Sequence, residues 1–69
     1  MDPRVRQTTA AVLAATLELM TEPEGGPVTV ERIAERSGVS RSTIYRRWPD
    51  LPRLHLEAFR HLRARRLSD

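Results

Sequence analysis

Two short segments of this chain carry the same local pattern. Val28 precedes Thr29 and Ile33 lies four positions beyond it; Val39 precedes Ser40 and Ile44 lies four positions beyond that. A hydroxyl residue flanked in this way marks a helix start. The side-chain oxygen accepts from a free backbone N–H, and the two apolar side chains close over the first turn. The two caps stand eleven residues apart with Ser37-Gly38-Val39 between them. That leaves room only for two short helices and a tight turn. Gly38 falls where the chain must reverse, and a left-handed backbone is cheap only for glycine. Ala34 is expected to face the partner helix, where a larger side chain would push the pair apart. Ile33, Val39 and Ile44 are expected to fill the wedge between them.

The remaining segments read as flanking helices. Val5, Thr9, Val12, Thr16 and Met20 recur at helical spacing with Leu13 and Leu17 beside them, predicting a helix over about residues 4–21. Asp2-Pro3 supplies a plausible cap with proline at the first helical position. Pro23 and the run Glu24-Gly25-Gly26-Pro27 end that helix. The capped pair predicts helices over about 29–36 and 40–47. A fourth, over about 51–66, starts near Asp50 with Pro52 tolerated in its first turn. It carries Leu51, Leu54, Ala58 and Leu62 on one face with Phe59 alongside. The expected fold is all-α, a small bundle of about four helices in one domain. It contains a helix-turn-helix over about 30–49, in a homeodomain-like arrangement.

Charge separates the function classes. The chain has 69 residues and a formal net charge of +3, but the charge is split. Residues 1–36 hold four Arg against six acids, a net −2, whereas residues 37–66 hold eight Arg against Asp50 and Glu57, a net +6. A positive half on so small a domain is the footprint of a polyanion partner. Without cysteine, neither a disulfide framework nor a thiolate metal site is available. The longest apolar run, Ala10 to Ala15, is too short for a membrane span and lacks signal-peptide flanks, so a soluble cytoplasmic protein is expected. No cofactor or metal is expected either. His55 and His61 lie about 240° apart around one helix axis, and no nucleophile–base set or phosphate-cradling loop is visible, so no catalytic residue is assigned. The competing reading is a helical protein–protein interaction module without DNA binding. Its mark would be an exposed apolar patch, whereas the third helix offers Ser, Thr and Arg.

With these residues in view, 12–62 resemble the N-terminal DNA-binding domain of TetR/AcrR-family transcriptional regulators. The resemblance rests on VLAATLELM, TVERIAERSGVSRSTIYRRWPD and LHLEAF. It implies a helical bundle whose third helix, Ser40 to Arg46, enters the major groove of an operator. Arg41, Ser42 and Thr43 then enter first and Arg46 follows about one turn later, all four facing bases. Arg41 would pair with guanine O6 and N7, and the Thr43 methyl would meet a thymine methyl. Thr29, Ser40, Tyr45 and Arg47 are the implied contacts to the DNA backbone. Trp48 stands where the family most often has Phe and is expected in the core. In that family a C-terminal domain dimerises and binds an inducer. Its absence from these 69 residues implies a monomer on its own. A homodimer on a palindromic operator is expected only with that domain, and repression is the family's usual mode.

The chain departs from the family pattern at two places. Leu51 stands where a phosphate-touching Lys is common, with Arg53 as a possible substitute. Glu24-Gly25 replaces the usual Gly-aromatic pair after the first helix.

Overall fold

A computed structural model describes residues 3–22 and 26–68, with side chains placed over 7–22 and 26–66. The expectations at Asp2, Pro23 and Glu24-Gly25, and for the side chain of Val5, lie outside the described residues. Four helices are formed: α1 (Pro3–Thr21), α2 (Val30–Ser37), α3 (Arg41–Arg47) and α4 (Leu51–Ser68). No strand occurs among the described residues, and the fold is the expected all-α bundle. The helix α1 packs on both α4 and α2, and α2 packs on α3.

Every helix contributes to one core. The largest fully buried side chains are Val12 and Thr16 from α1, Ile33 from α2, Ile44 from α3 and Leu54 from α4. Alanine-rich and free of glycine, α1 has high helix propensity through its middle. Its buried face differs from the stripe read off the sequence. Val12, Leu13, Ala15, Thr16 and Leu19 are buried, whereas Thr9, Leu17 and Met20 are half-buried. Contact with α2 as well as α4 turns the face toward Ala15 and Leu19. Thr16 stays polar in this setting because its hydroxyl donates to the Val12 carbonyl at 2.7 Å, so its own buried hydroxyl is satisfied.

The other helices show how local chemistry and packing share the outcome. Leu54 and Ala58 are buried on α4, but Phe59 is 52% exposed and Leu56 51%. Phe59 lies about 100° around the helix from Ala58, beyond the edge of the contact with α1. Val30, the first residue of α2, is buried as well, a core position that the staple pattern did not reveal. Arg36 ties α2 to α1 from outside. Its guanidinium donates to Glu22 at 2.7 and 3.2 Å and to Glu18 at 3.0 Å. These hydrogen bonds, Glu22's first, raise the Arg36 pKa. Arg32 extends the contact, donating to the Pro27 carbonyl at 2.9 Å and standing 4.0 Å from Glu22.

Candidate nucleic-acid interface

Backbone capping sets the angle between α2 and α3. Thr29, in extended conformation, accepts from the Arg32 N–H at 3.2 Å. Ser40 likewise accepts from the Thr43 N–H at 3.3 Å. Between them Gly38 adopts φ 77°, ψ 8°, and its N–H donates to the Ala34 carbonyl at 2.9 Å. A Cβ at Gly38 would meet nothing within 4 Å. The requirement for glycine there is therefore dihedral rather than one of space. Val39 continues the turn, its N–H donating to the Ser37 hydroxyl at 3.1 Å. Val28, Ala34 and Val39 pack against the core from its edge.

The inner face of α3 is defined by Ile44, fully buried, and Trp48, 4% exposed. At about 100° per residue, Ser42 and Arg46 then lie opposite Ile44, at the centre of the outward face. Arg41 and Tyr45 form one flank; Thr43 and Arg47 form the other. Exposure follows this wheel: Arg41, Ser42, Tyr45, Arg46 and Arg47 are exposed and Thr43 is half-buried. Tyr45 is 50% exposed, so it stands outside the core.

Hydroxyl groups gather at the start of α3. The Ser40 hydroxyl donates to Thr43 Oγ1 at 2.9 Å and lies 3.3 Å from Ser42 Oγ. Ser40 thus spends its proton inside the cluster, whereas Thr43, accepting there, keeps its own proton to donate outward. The Thr29 oxygen also accepts from backbone, leaving its O–H as a donor. Arg41 does not stand alone at this edge: its Nη1 is 3.8 Å from Oε1 of Glu31, in the first turn of α2. The two long side chains thus reach toward each other from the first turns of α2 and α3.

At the far end of α3 two contacts fix the exit. The Arg47 guanidinium stands 5.4 Å from the centroid of the Trp48 ring, within cation–π range. The Trp48 indole N–H donates to Glu57 Oε2 on α4. The indole hydrogen is thereby used inside the protein. Glu31 and Glu57 were both overlooked as partners in the sequence. An acid in a helix's first turn reads as a dipole complement, and Glu57 reads as part of a solvated face. Arg53 is exposed at the start of α4.

A short capped helix, packed through two apolar residues and turning basic and hydroxyl side chains outward, defines a helix-turn-helix of the nucleic-acid-reading type. Residues 12–50 match the family described as bacterial regulatory proteins, tetR family. The chain belongs to that family. It is 39% identical over 57 residues to the HTH-type transcriptional regulator YdeS of Bacillus subtilis (strain 168), covering 83% of this chain and 29% of that protein. It is 42% identical over 48 residues to the HTH-type transcriptional regulator Mb1581 of Mycobacterium bovis, covering 70% and 24%. With Rv2250c of Mycobacterium tuberculosis, also an HTH-type transcriptional regulator, it shares 44% over 43 residues, covering 62% and 23%. The chain thus spans less than a third of the length of these relatives. No solved structure matches it. Among the described residues no helix is long and apolar enough to cross a membrane.

Proposed function

We propose that this domain binds double-stranded DNA sequence-specifically, as the reading head of a transcriptional regulator, with α3 in the major groove. The observation that carries the reading is the division of α3. Ile44 and Trp48 are buried, and what remains outward is three Arg, Ser, Thr and Tyr. Arg41, Ser42, Thr43 and Arg46 face the bases, with Ser42 and Arg46 at the centre of the face. Thr29, Tyr45 and Arg47 hold phosphates, the first two through hydroxyl donors. Ser40, its proton given to Thr43, acts by orienting that base-facing hydroxyl rather than by holding a phosphate. The excess of Arg from residue 37 onward supplies the sequence-independent attraction.

The activity is binding and not catalysis, and the setting is the cytoplasm, where bacterial DNA is found. In a longer protein of the relatives' size, two such heads would be paired by further sequence. They would read a two-fold operator and repress by occupying it. A single module has a small footprint, typically about 600–1,000 Å² of protein surface. These 69 residues alone should therefore bind weakly and with steep salt dependence. If about four phosphates are neutralised, log K should fall against log salt with a slope near −3.6. A gel shift against a random duplex pool at low salt, followed by salt titration, tests this. Salt-independent binding, or no binding at low salt, would refute it.

A further inference from the structure

The structure assigns Glu31 a role in DNA reading: it is a positioning residue that holds the Arg41 guanidinium for its base and suppresses binding to wrong sequences. This deepens the DNA-binding reading and rests on it. The juxtaposition is specific. Glu31 lies in the first turn of α2 and Arg41 opens α3, with Nη1 and Oε1 3.8 Å apart across the two helices. Both side chains are open to solvent, at 61% and 62%. Exposed ion pairs of this kind contribute little to folding, and the helix-dipole complement that Glu31 supplies to α2 does not require it to face Arg41. Among the described residues, Arg41 is the α3 arginine that an acid faces. Arg47 stands over Trp48 instead.

A guanidinium carries five N–H donors in a planar fork. The carboxylate lies on the Nη1 side at ion-pair rather than hydrogen-bond distance, which leaves the Nη2 and Nε donors in one plane, free to meet guanine O6 and N7 together. Restricting Arg41 in advance lowers the ordering cost of that contact. The same carboxylate works against every other register. It lies within the first turn that Thr29 caps, the proposed phosphate contact, and unless Arg41 lies between it and the DNA its charge repels the phosphates. Glu31 therefore weakens indiscriminate binding while supporting the correct contact, which widens the difference that constitutes specificity.

The test uses the 69-residue chain. A binding site is first selected by the wild type from a random duplex pool. Affinities for that site and for a scrambled duplex are then measured at fixed salt for wild type, Glu31→Gln, Glu31→Asp, Arg41→Ala and Glu31→Gln/Arg41→Ala. Glu31→Gln should bind the scrambled duplex about threefold more tightly, the scale of losing one carboxylate within a Debye length of phosphates. Its specific-to-scrambled ratio should fall about fivefold, a modest coupling between contacting groups. Glu31→Asp keeps the charge but loses reach, so its ratio should fall with no gain on scrambled DNA. In the Arg41→Ala background, Glu31→Gln should leave the ratio unchanged. An equal drop with and without Arg41, or no drop in either, would overturn the assignment, provided thermal melts show every variant folded. A wild type unable to discriminate any site would instead refute the DNA-reading function itself, and this inference with it.

Discussion

The indole N–H of Trp48 donates to the carboxylate of Glu57, joining the C-cap of α3 to α4. Trp48 is 4% exposed, and Glu57 is the acceptor its part-buried N–H uses. Glu57→Ala should cost about 1–3 kcal/mol by leaving the buried N–H unpaired. Glu57→Gln, which retains a side-chain oxygen, should cost less. Urea denaturation of the variants measures both, and equal losses would show that charge, not the hydrogen bond, matters.

Gly38 is held at φ 77° with open space around its Cα. Gly38→Ala should destabilise by about 1–2 kcal/mol from the left-handed backbone alone. Gly38→Asn should lose less, since Asn tolerates that region. An Ala variant as stable as wild type would mean that the turn can be rebuilt in another conformation.

Thr16 and Ile44 are both fully buried yet should respond in opposite ways. The Thr16 hydroxyl donates to a carbonyl of its own helix, a bond that adds little to a helix. Thr16→Val should therefore be neutral or stabilising, within about 1 kcal/mol. Ile44→Ala removes the residue wedged under α3 and should cost about 2–5 kcal/mol, enough to unfold much of a 69-residue domain. Circular dichroism melts separate the two outcomes.

The wheel of α3 predicts different binding phenotypes from neighbouring positions. Arg46→Ala, at the centre of the outward face, should relax sequence preference and cost about 1–3 kcal/mol on the selected site. Arg41→Ala should lower discrimination in the same range. Tyr45→Phe removes the hydroxyl proposed to meet phosphate and should weaken all duplexes alike. Competition gel shifts with selected and scrambled DNA read the distinction. Interchanged effects would reverse the assignment of base and backbone roles.

Sequence by itself determined the features whose causes lie within five residues. The Thr29 and Ser40 caps, the αL turn at Gly38 and the apolar pairing of Val28 with Ile33 and of Val39 with Ile44 are of this kind. Each arises from hydrogen bonds or contacts inside a single turn, and together they are enough to specify a helix-turn-helix. Only the tertiary structure decided which faces are used and which distant groups meet. Ala15 and Leu19 are inside because α1 answers to two neighbours, and Phe59 is outside because α4 turns Leu54 and Ala58 to the core instead. Glu18 and Glu22 meet Arg36, Glu57 meets Trp48, and Glu31 meets Arg41, because helix crossings bring together residues nine or more positions apart. Helical periodicity says which residues share a face, but not where a neighbouring helix will stop covering it. That boundary follows from the packing of all four helices at once.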